Sequence, residues 1–189
     1  MTISVPNEQL IAKELGSGER LLWSGQPAQG LRLQVADALL IPFSLMWGGF
    51  AVFWEYSVLT MPNAPFFFML WGIPFVLAGL YMMIGRFFVD ARQRMATHYA
   101  VTDQRAIIIS GMLSRQVKSL SLRTLSDVSI TEKSSGTGSI TFGAVPPFYG
   151  WLAGTSWPGM SMYTAPAFES IPNVRQVYDL LRGAQQKAA

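Results

Sequence analysis

"HYAVTDQRAIIISG", His98 to Gly111, is the stretch whose reading decides the fold of this chain. It reads as a β-rich run, a polar turn at Thr102-Asp103-Gln104-Arg105, and a second β-rich run closed by a glycine. Such a hairpin is ordinary in a water-facing sheet. Yet it follows one of the most apolar stretches of the sequence. From Val35 to Phe88 the only charged residues are Asp37, Glu55 and Arg86. Half of the 189 residues are hydrophobic and 13% are charged, whereas a soluble domain carries about 25% charged residues. The shortage is local, which describes one membrane part joined to one or two water-facing parts.

Two stretches are candidates to span a bilayer. The first centres on "ALLIPFSLMWGGFAVFW", Ala38 to Trp54, and the second is "APFFFMLWGIPFVLAGLYMMIG", Ala64 to Gly85. A helix needs roughly 20 apolar residues to cross a hydrocarbon core. The alternative is a buried helical hairpin of a soluble protein, for which the chain has little polar covering to offer. The connecting "EYSVLTMPNAP" holds no Lys or Arg, whereas Arg20 and Arg32 precede the pair and Arg86, Arg92 and Arg94 follow it. The positive-inside rule then puts both termini in the cytoplasm. No apolar core of a signal peptide stands in the first twenty residues, so the spans themselves are expected to reach the membrane. Gly48-Gly49, Gly72 and Gly79 allow close helix approach. Pro42 and Pro74 are expected to kink the helices, and Trp47 and Trp71 to pack between them. Asp37 and Glu55 stand at the rims, where snorkelling into headgroups is the plain reading and a functional intramembrane acid the sharper one.

After Arg94 the periodicity changes to that of strands. "SRQVKSLSLRTL", "SDVSITEK", "SITFG" and "SMYTAPAFESI" follow the hairpin at a spacing that suits a meandering antiparallel sheet, curled as a barrel or sandwich. Pro172 suits a first helical position. Val174, Val177, Tyr178 and Leu181 then form one apolar stripe, predicting a C-terminal helix laid on the sheet, weakened near its end by Gly183. In the N-terminal arm, "NEQLIAKEL" predicts a short helix and "RLLWSG" a possible strand, with Trp23 seeking something to pack on.

Taken together, "GERLLWSGQP", the two spans, "YAVTDQRAIIISG", "SLSLRTLSDVSI", "GSITFG" and "AFESIPNVRQVYDLL" resemble the membrane-anchored members of the bacterial PH-like domain family. The resemblance covers nearly the whole chain. It implies a strongly bent antiparallel sheet of about seven strands capped by a C-terminal helix. The expected fold is thus an α+β membrane protein: a cytoplasmic arm at 1–34, a two-helix transmembrane hairpin at 35–88, and a PH-like curled antiparallel β-sheet with its capping helix at 95–189. The resemblance reports fold more than activity.

Chemistry is sparse. There is no cysteine, which excludes disulfides, thiolate metal sites and thiol nucleophiles. His98 is the only histidine, and no His/Asp/Glu cluster has metal-ligand spacing. "GTGSITFG", Gly136 to Gly143, lacks the following helix of a dinucleotide loop and reads as a hairpin turn. A phosphoinositide pocket wants converging Lys and Arg, and the hairpin turn offers one Arg beside an Asp and a Gln. No catalytic residue, cofactor, metal, nucleic acid or specific small-molecule ligand is expected. Arg86, Arg92 and Arg94 are the candidate membrane-surface contacts, each worth about 1 kcal/mol against an anionic leaflet and partly offset by Asp90. Phe148, Tyr149, Trp151, Trp157 and Tyr163 crowd an uncharged loop, either filling the sheet's own core or contacting a partner or the headgroup layer.

These readings predict a non-enzymatic module of the bacterial inner (cytoplasmic) membrane. Its partners are the lipid bilayer and a protein partner or a second copy of itself. Sensing of lipid or membrane state in envelope stress is the alternative, and a small transporter or channel component using Asp37 and Glu55 is the weaker one.

Overall fold

A computed structural model describes residues 5–30, 33, 37–112, 114–144 and 165–188. Within these the order is α1 (Val5–Ala12), β1 (Leu21–Gly25), α2 (Asp37–Thr60), α3 (Phe66–Leu80), a π-helical turn (Tyr81–Gly85), α4 (Arg86–Met95), β2 (His98–Thr102), β3 (Arg105–Ser110), β4 (Gln116–Ser121), β5 (Val128–Glu132), β6 (Gly138–Phe142), β7 (Ala167–Ile171) and α5 (Val174–Ala188). The described residues form two compact units, one of sheet and one of helices.

The sheet unit is antiparallel throughout. Four strands pair in the order β1-β2-β3-β4 and three in the order β5-β6-β7. The expected single curled sheet is therefore two sheets among the described residues. The core explains the arrangement. Ala106, Ile107, Ile108 and Ile109 of β3 are all buried, so this strand is covered on both faces. Strand periodicity sends Ala106 and Ile108 one way, to a core with Tyr99, Val101, Leu122, Ile140, Phe142, Phe168 and Ile171. Ile107 and Ile109 go the other way, to a second cluster with Ala100 and Ile11. The triple isoleucine thus requires two covers. On the second face Ile11 of α1 is one of them, with Leu15 and Leu21 beside it.

α5 covers the first core through the predicted stripe: Val174, Val177, Leu181 and also Ala184 are buried. Two details differ from the sequence reading. Pro172 lies in a turn ahead of the helix, because Asn173 adopts φ 50° and redirects the chain before Val174. The tail beyond Gly183 remains helical to Ala188, because Ala184 is buried and the Gln185 amide donates to the Leu125 carbonyl at 2.6 Å. Gly138, in the run that imitates a dinucleotide loop, opens β6. A Cβ there would stand 2.1 Å from the Thr131 carbonyl oxygen and 2.7 Å from Val174 Cγ1, so only glycine lets β5 and α5 close over it.

The helical unit pairs α2 with α3. Gly48 faces Gly79, where an added Cβ would stand 2.9 Å from the Gly48 Cα, and Gly72 faces Trp54 and Glu55. This antiparallel register lets the backbones touch. The outer surface of the pair is apolar: Leu39 is 71% exposed, Phe53 68% and Phe66 75%. Both helical runs, residues 37–60 and 66–95, are long and apolar enough to cross a membrane. Trp47 stacks on Phe43 and meets Phe75 of the other helix, whereas Trp71 is half-exposed and stacks on Phe67 of its own helix. Of the two tryptophans expected to pack between the helices, Trp47 reaches across and Trp71 lies along the outside.

Candidate functional site

The turn between β2 and β3 is organised by Thr102, whose hydroxyl oxygen accepts from the backbone N–H of Gln104 at 3.2 Å and of Arg105 at 2.9 Å. That local bonding is the reason a threonine suits the start of a tight turn. It leaves Arg105 aimed at the N-terminal arm. The guanidinium grips Glu19 with two parallel bonds, Nε to Oε1 at 2.8 Å and Nη2 to Oε2 at 2.8 Å. The same group donates to the Glu14 carbonyl at 2.8 Å and to Ser119 Oγ at 3.1 Å. Glu19 also accepts from the Gly16 N–H at 2.7 Å, and its Oε1 lies 2.7 Å from the Thr102 hydroxyl.

The electrostatics follow from this geometry. The Glu19 side chain is 2% exposed. The hydrogen bonds from Arg105 outweigh desolvation and hold the Glu19 carboxyl down at about 2. The same pairing raises the Arg105 guanidinium further above its ordinary value. A second ion pair, Arg115 Nη2 to Glu14 Oε1 at 2.9 Å, ties the arm near the far end of β3. Asp103 completes the clasp, its Oδ1 accepting from the Arg20 N–H and its own N–H donating to the Arg20 carbonyl, both at 3.1 Å. β1 then pairs with β2 from Leu21↔Thr102 to Gly25↔Tyr99, and Trp23 packs on Phe168 with ring centroids 5.9 Å apart. Arg105, the single arginine of the opening stretch, is therefore committed to the protein's own N-terminal arm.

His98 sits at the start of β2 with Nδ1 3.1 Å from Gln26 Nε2. The amide donates there, which puts the ring proton on Nε2. Burial first, then the nearby Arg115, lowers the imidazole below its ordinary range and favours the neutral ring. Among the described residues no group of three or more His, Cys, Asp or Glu side chains could hold a metal ion.

In the helical unit Arg86 reaches back to Asp37, Nη1 to Oδ1 at 2.6 Å, with side chains only 11% and 8% exposed. Phe87 covers the guanidinium, 4.5 Å from ring centroid to Cζ. Asp37 is thus turned into the helix pair instead of outward. Glu55 packs against Gly72, and its Oε2 is buried without a hydrogen bond among the described residues. Arg92 and Arg94 lie in the last turn of α4, with Arg92 exposed and Arg94 partly so. All three arginines stand on α4, but not as one cluster: Arg86, at its first position, is locked in an ion pair, and Arg92 and Arg94 lie in its last turn. Phe148, Tyr149, Trp151, Trp157 and Tyr163 lie outside the described residues.

Sequence reading missed the clasp because Glu14, Glu19 and Arg105 are separated by both apolar helices. The available signal was the acids of the arm, Glu8, Glu14 and Glu19, opposite a hairpin turn with one arginine.

Comparison with known proteins agrees with this architecture. No curated protein and no solved structure matches the chain. The family described as bacterial PH domain matches residues 38–185, a stretch that takes in both apolar helices, the strands from β2 onward and most of α5. With that match over most of its length, on antiparallel sheets closed by a C-terminal helix, the chain belongs to the bacterial PH domain family.

Proposed function

We propose that this protein is a non-enzymatic interaction or assembly module held at the cytoplasmic surface of the bacterial inner membrane by its two apolar helices. The observation that carries the reading is the outer surface of the α2–α3 pair, where large apolar side chains such as Leu39, Phe53 and Phe66 stand bare. Bare apolar surface on this scale marks a contact with lipid or protein. The family match spans these helices together with the strands from β2 onward and most of α5. The pairing of β1 with β2 supports two crossings. The chain leaves the sheet at Gly25 and returns at His98, and a segment that starts and ends at one sheet crosses a bilayer an even number of times. The Lys- and Arg-free loop between the helices favours the outside for that loop.

The absence of native cysteine makes the test direct. Single-cysteine variants Met61→Cys, between the helices, and Ser126→Cys, in the sheet unit, are treated with a membrane-impermeant maleimide in spheroplasts. Met61→Cys is expected to label at once and Ser126→Cys only after permeabilisation. Release of the protein from membranes by alkaline carbonate, or the reverse labelling, sinks the anchored reading. For the assembly role, chemical cross-linking before mild solubilisation is expected to capture a second copy or a partner. Trp151→Ala with Trp157→Ala is expected to reduce the capture. A monomer alone, with nothing co-purifying, counts against the module.

A further inference from the structure

We propose that the cleft bounded by the β2–β3 turn, the end of β4 and the last turns of α5 is a binding site for a phosphate-class anion. The cleft has a volume of about 970 Å³, at the upper end of small-molecule sites, and lies wholly within the sheet unit. Three cations line it, Arg20, Arg123 and Lys187, against one carboxylate, Asp103. They come from the arm, the turn after β4 and the end of α5, so no local sequence run announces them. Among the described residues none of the three cationic groups makes a hydrogen bond or ion pair. This contrasts with Arg105 and Arg115, whose charges are consumed by Glu19 and Glu14.

Two guanidinium forks and an ammonium facing one space suit an oxyanion carrying more than one charge, which relieves their mutual repulsion and accepts several charge-assisted bonds. Gln104 and Ser121 add neutral donors at the rim, and Leu22 and Leu180 supply an apolar wall for the carbon portion of a phosphate ester. Asp103 is the unfavourable element. Its reciprocal bonds with the Arg20 backbone fix it in the wall, where it weakens the site. The anion is either a soluble phosphate compound or the headgroup of a phospholipid.

The full chain in non-ionic detergent is titrated with inorganic pyrophosphate and, separately, with micelles doped with phosphatidic acid. Saturable binding of at least one probe is expected. Joint Arg123→Gln and Lys187→Gln should weaken it by about tenfold or more, the loss expected for removing two charge-assisted partners. Asp103→Asn should strengthen it, and Arg175→Gln, an exposed change on α5 outside the cleft, should leave it unchanged. Arg20→Gln repeats the test from a third segment, and thermal melts confirm that each variant is folded. Binding of pyrophosphate alone assigns a soluble phosphate compound. Binding of phosphatidic acid alone assigns a headgroup, and binding of both assigns recognition of the phosphate whatever carries it. Saturation by neither probe, or an equal loss on Arg175→Gln, overturns the proposal. The outcome is separable from the anchoring test, because the cleft contains no residue of the helical pair.

Discussion

Arg105 is the residue on which the arm depends, and its geometry makes the dependence specific. A planar fork satisfies both Glu19 oxygens at once, which a lysine ammonium does not. Glu19→Gln leaves the half-buried guanidinium without its counter-charge and should cost about 2 kcal/mol, below the full penalty of a buried pair because Arg105 keeps some solvent. Arg105→Lys should recover only part of the wild-type melting temperature. The pH dependence follows from the direction of the shift. The folded state holds the Glu19 carboxyl at about 2, below its ordinary value of 4.5. Its contribution is therefore fully present above pH 4.5 and fades as pH falls toward about 2. Acid melts of wild type and Glu19→Gln should converge across that window, and a constant gap between them contradicts the pairing. The sequence displayed Arg105 in plain view but not its partner. A charge in a turn declares that it needs compensation, whereas the identity of the compensating group is a property of the fold.

At the scale of elements, periodicity made the apolar helices, the strands and α5 legible, because burial on one face or all round leaves a repeat in the sequence. What periodicity does not carry is register. Gly48 against Gly79 and Gly72 against Glu55 set the α2–α3 register, and continuing it toward the start of α2 brings Asp37 beside the turn that holds Arg86. Removing one partner takes from a buried ion the counter-charge of this pair. Asp37→Leu or Arg86→Met should each lower stability by about 3–5 kcal/mol, while the two combined should be close to neutral. Thermal melts in detergent, read as a double-mutant cycle, separate these outcomes. Gly79→Leu meets the Gly48 backbone and should destabilise the pair by about 1–3 kcal/mol through overpacking. An equal substitution at Gly49, where nothing stands within 4 Å of an added Cβ, should be tolerated. The shift of the last helix start to Val174 has the same kind of cause as the unseen ion pair. Pro172 is compatible with a first helical turn, and the left-handed Asn173 that displaces it is visible only once β7 and α5 are joined.

For the molecule as a whole, the helix, the strand and the packing of Trp23 in the arm were legible, but the surface that α1 covers was not, and the reason is the double burial of β3. An unbroken run of isoleucines announces that a strand is covered on both faces, but not which distant segment supplies the second cover. Here α1 contributes Ile11 to that cover. A chain lacking residues 1–19 should expose Ala100, Ile107 and Ile109, bind a hydrophobic dye in its folded temperature range and melt earlier than the full chain. An unchanged melt would show that the arm is an accessory. The pairing of β1 with β2 also imposes a schedule on biosynthesis. β1 leaves the ribosome before either apolar helix, yet its hydrogen-bonding partner is made only after both. The arm must wait unpaired while both helices are made, and the four-stranded sheet closes only when residues 98–121 arrive. Until that sheet is complete, β2 keeps an open edge and the isoleucine face lacks its cover, the two features that make an unfinished chain prone to aggregate.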